Sequence, residues 1–464
     1  MVESGYIRIR PEYALRGWQG MPHTLVRRGG KPIVMSAGAF RTAQFCNGRF
    51  EATSPVFMGR SKQYLAELDR LDLLEYLDEP GHLEPEQEYR LFDNRYLEAV
   101  HWSITGRCNY RCRHCYMRAP HAVLPQPSLE ECLGIADQIA DCGIMNVSLT
   151  GGEPLVRRDF LQIVDRILEH GMRIPLIMTN GALVDEALLD ELDARDCRPE
   201  FNMSFDGPRE QHDWLRGVDG AYDSVCRSLT LCRDRGFPTG AELVLHKGNV
   251  HTLRESVRTL GGLGVRSLKV NRLACVGEGE AIADRALSAE EEYEAYLDYI
   301  PHYFEDGMPV AHLMLSALFL ASDGKFEVTA VKHDEDEDCA DALVCTSART
   351  TMYLGPDGRI LPCIPMSQTD GASERFPSVG ETELSQALSE STYLSFIRTT
   401  LGEYLEHNPE CASCEYKNRC GGGCRGRAAI ANGGSDLLAR DPDVCLLFRG
   451  GYYDRARKII ELYA

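Results

Sequence analysis

Residues 97–115 read LEAVHWSITGRCNYRCRHC, a β-like run that gives way after Gly106 to a loop carrying Cys108, Cys112 and Cys115. The chain beyond that loop decides the fold. SLEECLGIADQIADCG is helical, with Ser128 and Glu131 spaced as a capping box. NVSLT is a strand, and DFLQIVDRILEHG is a helix ended by Gly171. IPLIMTN, DEALLDELDARD, EFNMSFD, AYDSVCRSLTLCRDRG, AELVLH, HTLRESVRTLGGLG and SLKVNRL carry the alternation on to six β/α-type steps by residue 273. Such alternation implies an α/β fold with a parallel sheet and helical crossovers, either open or curled into a partial barrel. Polar and Gly-rich residues gather just after the strands, in the cysteine loop, at Gly151-Gly152-Glu153-Pro154, at Thr179-Asn180-Gly181 and at Ser204-Phe205-Asp206-Gly207. Ligand sites of parallel β/α folds lie at that strand end.

Before the alternation, residues 6–60 hold short β-like runs, YIRIR and then TLVRRGGKPIVM with a hairpin turn expected at Gly29-Gly30. SKQYLAELDRLDLLEYL (61–77) is expected to be helical, and DEPGHLEPEQEYRLFDN (78–94) to be a polar linker. After it, EEYEAYLDYIPHYF and AHLMLSALFLA are read as helices leading to a Cys-rich end with little long periodicity before a last helix near DRARKIIELYA. The expected units are 1–95, a small α+β module; 98–300, the β/α barrel; 301–336, a helical and acidic bridge; and 337–464, the Cys-rich tail.

The formal charge of −20 argues against nucleic acid, which needs a basic face. Residues 1–62 depart from it with ten Lys and Arg against three Glu, a balance of +7, whereas 334–338 (DEDED) is wholly acidic and reads as a solvated surface. No apolar run is long enough to span a bilayer, and MVESGYIRIR lacks a secretory core, so a cytoplasmic protein without a membrane partner is expected.

Eighteen cysteines in such a chain read first as metal ligands. Three lie within 108–115 and eight between 339 and 445; Cys46, Cys132, Cys142, Cys197, Cys226, Cys232 and Cys275 are scattered and suit small buried hydrophobes. Three thiolates on a short loop can hold three corners of a 4Fe–4S cube and leave one iron open. Three cysteines by themselves would equally suit zinc.

The later motifs separate the two. Cys108-x3-Cys112-x2-Cys115 after a first strand, with GGEP after the second, resembles the radical S-adenosylmethionine (SAM) superfamily, whose fold is a partial (β/α)6 barrel. The resemblance implies that the open iron chelates the amine and carboxylate of SAM. Reductive cleavage then yields a 5′-deoxyadenosyl radical that takes hydrogen from a substrate. By the same resemblance Gly151, Gly152, Glu153 and Pro154 receive the methionine ammonium. Ser204 and Asp206, in SFDGP, lie near the ribose and carboxylate, and Arg216, in HDWLRG, pairs with the carboxylate as a bidentate fork. His114 stands where the family usually has an aromatic residue, a departure from the pattern.

The tail holds Cys345 and Cys363, then Cys411-x2-Cys414-x5-Cys420-x3-Cys424, then Cys445. A zinc ribbon would account for the middle run and leave the others unexplained. The whole pattern resembles the SPASM domain, which implies two auxiliary 4Fe–4S clusters besides the first. One would be held by Cys339, Cys345, Cys363 and Cys424, and the other by Cys411, Cys414, Cys420 and Cys445. The N-terminal module resembles the winged-helix-like RiPP recognition element, which binds a leader peptide as an added strand. Its basic balance would suit an acidic leader.

These resemblances imply a peptide maturase that crosslinks a ribosomal precursor, by a thioether first and a carbon–carbon bond second, drawing electrons from a donor such as flavodoxin or ferredoxin. An anaerobic sulfatase-maturating enzyme is the alternative, but that group carries Asp directly after the cysteine matching Cys363, where this chain has Ile364. A redox or peptide carrier without radical chemistry is a third reading, and GGEP with Arg216 speaks against it. Asp206, Glu278, His246 and Tyr116 are too common in ordinary structural roles for a catalytic assignment from sequence.

Overall fold

A computed structural model describes residues 5–27, 32–330, 333, 339–345 and 347–463; the turn expected at Gly29-Gly30 and the acidic run 334–338 lie outside the described residues. Strands β1 (Tyr6–Ile9), β2 (Tyr13–Gln19), β3 (Met21–Arg27) and β4 (Pro32–Val34) come first. Helix α1 (Ala37–Phe45), β5 (Asn47–Glu51), α2 (Arg60–Arg70), β6 (Leu74–Leu77) and β7 (Arg90–Arg95) complete the N-terminal unit. It has two small sheets, β5-β1-β6 and β4-β3-β2-β7, and its own core of Ile7, Ile9, Leu25, Phe40, Leu65, Leu68 and Leu74.

Two expectations need correcting here. The run 61–77 is not one helix, because it stops at Arg70, Asp72 turns with φ +57°, and the remaining leucines continue as β6. Both elements bury leucines against the same core, so leucine spacing alone could not find the break. The polar stretch 78–94 is not only a linker: its end forms β7, which pairs parallel to β2. Trp18 stacks on Phe92 of β7, ring centroids 5.3 Å apart, and donates its indole N–H to the Cys142 carbonyl at 3.1 Å. The module is thereby fastened to the barrel.

The barrel begins at β8 (Ala99–Ser103) and continues through β9 (Asn146–Thr150), β10 (Leu176–Thr179), β11 (Glu200–Ser204), β12 (Thr239–Leu245), β13 (Ser267–Arg272) and β14 (His312–Leu315). These seven are parallel and lie side by side in chain order. The crossovers carry α3 (Leu129–Asp141), α4 (Phe160–Glu169), α5 (Glu186–Asp193), α6 (Arg209–Arg216), α7 (Ala221–Asp234), α8 (Leu253–Gly262) and α9 (Ala289–Glu305). Helix α4 shows why they pack: Phe160, Ile163, Val164 and Ile167 recur at helical spacing and are all buried. The Ser128–Glu131 capping box opens α3 as expected. Ser128→Ala removes the hydroxyl that accepts the Glu131 amide, and should lower stability by about 1 kcal/mol in urea denaturation.

Residues 311–321 are a strand pair, not a helix. The chain turns at Ser316, φ +53°, between β14 and β15 (Leu318–Ala321), and β16 (Phe326–Val328) extends the antiparallel edge. A short run whose only polar residues are His312 and Ser316 carries too little period to separate strand from helix. At the other edge β17 (Thr351–Leu354) pairs parallel with β8, and β18 (Ile360–Leu361) pairs with β17. The Cys-rich tail is thus stitched into the barrel sheet. Its closing helix, Tyr452–Glu461, lies on α9, with Tyr293 and Tyr452 stacked at 5.1 Å.

Candidate functional site

The period-2 geometry of the strands sets the site. On β11, Phe201 and Met203 are buried among the helices while Asn202 and Ser204 face inward; on β13, Leu268 and Val270 are buried while Lys269 and Asn271 face inward. The inward side chains and the loops after the strands enclose a chamber of about 720 Å³.

Cys108, Cys112 and Cys115 form one wall of this chamber. Their loop is held by main-chain contacts that only glycine permits. Gly152 donates its N–H to the Thr105 carbonyl at 2.9 Å, and Glu153 donates its own to the Arg107 carbonyl at 2.9 Å. A Cβ on Gly151, φ +155°, would lie 2.6 Å from the Thr105 oxygen, and one on Gly152 would lie 2.3 Å from the Arg107 oxygen. Both glycines are thus required by the close approach of the two backbones.

Each of the three sulfurs has an N–H donor directed at it. Tyr110 N–H points at Cys108 Sγ (3.3 Å), Arg216 Nη1 at Cys112 Sγ (3.8 Å) and Ala119 N–H at Cys115 Sγ (3.4 Å). Burial pushes the Cys108 thiol up to about 12 and raises Cys112 and Cys115 as well, so the bare groups stay protonated. Donors aimed at sulfur suit thiolates whose charge is shared with iron. Three thiols with N–H donors on one chamber wall are a donor set that an iron–sulfur cube can take.

The other expected residues divide into two groups. Gly151, Gly152, Ser204 and Arg216 line the chamber. Glu153, Pro154 and Asp206 do not. Glu153 is fully buried and braces the end of β10, accepting the Thr179 hydroxyl (2.8 Å) and the Asn180 (2.8 Å) and Leu155 (3.1 Å) amides. Burial raises its carboxyl to about 7, against the pull of those bonds. Asp206 accepts Arg216 Nε at 2.6 Å and the Val244 amide at 3.0 Å. Burial works against its charge, yet Arg216 and His212 hold it well below the usual carboxylate range. Its part is to aim Arg216 between the cysteine loop and the chamber.

His246 and Glu278 also lie outside the lining, with His246 beside Trp214 (5.4 Å) and Glu278 near His121 (3.5 Å). His114 and Tyr116 line the chamber; burial lowers His114 to about 3, and the Tyr116 hydroxyl bonds with Tyr353 and Ser367.

Asn180, in the strand-end segment the sequence marked, bonds Asn109 at 2.8 Å and faces Cys108. Several other chamber residues were not singled out from sequence. Glu242, Lys269 and Arg272 on β12 and β13, Glu292 on α9, and Arg427 and Asp443 from the tail complete the polar wall. The available signal was alternation, polar residues at 202 and 204, 269 and 271 inside otherwise apolar strands.

The tail cysteines lie in two regions. Cys363 has Cys345 and Cys424 as charge neighbours, and Ile364 beside it lines the chamber. Cys411, Cys414, Cys420 and Cys445 line a second, small cavity, where the Tyr404 hydroxyl lies 3.6 Å from Cys411 Sγ. Cys339 is buried with Val344, Leu401 and Tyr404, a cluster that Cys411 also packs against, while Cys345, Cys363 and Cys420 pack against the main core. Among the described residues no helix is long and apolar enough to cross a membrane.

Residues 102–260 match the family model of the radical SAM superfamily. The chain is 26% identical over 416 residues to the Fe-coproporphyrin III synthase of Methanosarcina barkeri, covering 86% of this chain and 100% of that protein. It is 26% identical over 347 residues to the PqqA peptide cyclase of Granulibacter bethesdensis, covering 74% and 86%. The crystal structure of Streptococcus suis SuiB bound to precursor peptide SuiA shares the fold, with a TM-score of 0.65, 15% identity, and coverage of 95% of this chain and 99% of that one. Residues 102–260 are a radical SAM domain, for which SAM and a 4Fe–4S cluster are the implied cofactors, and the chain is a radical SAM enzyme.

Proposed function

We propose that the chain is a peptide maturase, in which Cys108, Cys112 and Cys115 hold the SAM-binding cluster and the chamber receives a segment of a ribosomal precursor. When bound, that cluster supplies the electron that cleaves SAM to a 5′-deoxyadenosyl radical. The chain's own residues hold and orient. The Gly151-Gly152 backbone and Ser204 present polar groups at the strand ends, and Arg216, fixed by Asp206, offers a guanidinium to the SAM carboxylate. Cys345, Cys363 and Cys424 with Cys339, and Cys411, Cys414, Cys420 and Cys445, are proposed as two auxiliary 4Fe–4S sites. Residues 1–95 are proposed as the module that takes the leader peptide and 337–464 as the SPASM domain; the barrel proposed for 98–300 runs past that bound to β14 (His312–Leu315).

One observation favours a peptide over a porphyrin, which is the other reading open to relatives of this kind. Apart from Arg216, which is assigned to SAM, the Lys and Arg side chains on the chamber wall each face an acid: Arg272 faces Asp443 (2.8 Å), Arg427 faces Asp441 (3.3 Å) and Lys269 faces Glu242 (3.9 Å). A porphyrin with several carboxylates needs cations free to meet them, since leaving buried charges unpaired is costly. A neutral peptide segment does not. SuiB, whose fold spans 95% of this chain, was crystallised with a precursor peptide.

Among peptide products a thioether is ranked before a carbon–carbon bond. Formylglycine formation is disfavoured by Ile364, which offers no carboxylate beside Cys363. The test is anaerobic incubation of the reconstituted enzyme with SAM, dithionite and candidate precursor peptides, followed by mass spectrometry. A loss of two hydrogens per crosslink is expected; turnover of iron coproporphyrin with no change in any peptide would contradict the proposal.

A further inference from the structure

The segment 107–118, RCNYRCRHCYMR, sets four arginines among the three cysteines and contains no Asp or Glu, in a chain whose formal charge is −20. All four, Arg107, Arg111, Arg113 and Arg118, are exposed. While the sulfurs face the chamber, the guanidinium-bearing side chains reach the outer surface of the same loop. Arg107 and Arg111 have no acidic partner among the described residues. Arg118 has a loose one in Glu280 at 3.6 Å, with both side chains about half exposed or more. Arg113 lies over the Trp214 ring at 5.3 Å, and Arg285 approaches the same ring at 5.7 Å. The acids of the adjoining segments are Glu280; Glu278, which faces His121 (3.5 Å); Asp284, which faces Arg285 (3.8 Å); Asp213, which accepts the Gly220 and Tyr222 amides; and exposed Asp219.

The surface is held in shape. Arg113 donates its backbone N–H to the Leu215 carbonyl (2.8 Å) and its Nε–H to the Trp214 carbonyl (2.9 Å). The Arg111 carbonyl packs so closely on Gly217, at the end of α6, that a Cβ there would lie 2.2 Å from it. These arginines therefore stand on a loop fixed to a helix end, so that little ordering entropy is lost when a partner meets them.

We infer that this arginine rim is the docking surface for an acidic one-electron carrier protein, which delivers its electron through the cysteine loop to the first cluster. The inference rests on reading this loop as the cluster site. A cluster behind the loop needs an external electron for each reductive cleavage. A basic patch on an otherwise acidic enzyme raises the encounter rate with an acidic carrier by about 10- to 1,000-fold at low salt while repelling cationic proteins. The electron leaves the carrier's reduced cofactor and is taken up by the oxidised cluster, so the step balances with no further co-reactant.

The test uses the full-length reconstituted holoenzyme and measures 5′-deoxyadenosine formation driven either by a purified reduced flavodoxin or by dithionite. The double variant Arg111→Glu/Arg118→Glu should lose about tenfold or more of the flavodoxin-driven rate, with the dithionite-driven rate within about twofold of wild type. The wild-type flavodoxin-driven rate should fall between 50 and 300 mM salt, where screening shortens the reach of charge to under about 10 Å, and the variant's should not. An unchanged flavodoxin-driven rate in the double variant would overturn the inference. So would an equal loss of peptide turnover with dithionite, which would place the peptide on this surface instead. The same conclusion would be forced if Lys417→Glu/Arg449→Glu, beside the second cavity, lost the flavodoxin-driven rate in its place. No 5′-deoxyadenosine with dithionite in the wild type would instead remove the cluster reading itself.

Discussion

The Cys112→Ala enzyme, reconstituted anaerobically and supplied with dithionite and SAM, is expected to release 5′-deoxyadenosine at least about a thousandfold more slowly than wild type, because the reacting centre is lost. Cys112 is the middle ligand of the proposed site, and its sulfur is the one that Arg216 Nη1 faces at 3.8 Å. Iron content should fall by one cluster, while iron in the tail stays, since Cys345, Cys363 and Cys424, and Cys411, Cys414, Cys420 and Cys445, lie apart from the Cys108 loop. Iron analysis beside the activity assay checks both halves. Loss of activity with all iron retained would mean that the loop acts without holding a cluster.

The second large effect concerns stability. Arg216→Met should lower the free energy of unfolding by about 3–5 kcal/mol, because it strands a buried charge. Its partner Asp206 is fully buried, and the pair meets at 2.6 Å. The sign with pH comes from the depressed Asp206. Its stabilising contribution is present above the ordinary carboxylate range of about 3.9 and is lost only as pH falls through the lower folded value. In the variant burial is no longer opposed by Arg216 and lifts the Asp206 carboxyl, so the gap between wild type and variant should be widest at about pH 8 and narrow as pH falls and the stranded group takes up a proton. Asp206→Asn/Arg216→Met should recover part of the loss, since neither charge is then unpaired. Chemical denaturation at three pH values measures all of this. Equal stability of the double and single variants would show that the arginine acts through packing alone.

The boundary between the legible and the hidden parts of the sequence is a physical one. Six β/α steps were legible because each helix carries an apolar stripe like that of Phe160, Ile163, Val164 and Ile167, and each is bounded by turn residues. The cysteine loop and GGEP were legible because both are local, and because the glycines are required by backbone contacts with Thr105 and Arg107. The strand pair at 311–321 was not, since His312 and Ser316 are the only polar residues in eleven and their spacing fits a helix as well as two short strands. Nor was β7, whose alternating Phe92 and Asn94 sit in a segment dominated by charge.

In the site, pairing across long separations was the hidden part. That Asp206 serves Arg216, and that Glu153 turns away to brace Thr179 and Asn180, depends on where side chains point rather than on which residues are present. The tail's contribution to the chamber was equally hidden, because Asp443 meets Arg272 across 171 positions of chain.

The central claim is that one iron of the cluster on the Cys108 loop is left open to the amine and carboxylate of SAM. Electron–nuclear double resonance on the dithionite-reduced enzyme, with SAM labelled by nitrogen-15 at the amine and oxygen-17 at the carboxylate, tests it directly. Hyperfine couplings from both labels, absent in the Cys112→Ala enzyme, are the result this account predicts. A reduced-cluster signal that carries neither coupling and does not change when SAM is added would contradict it.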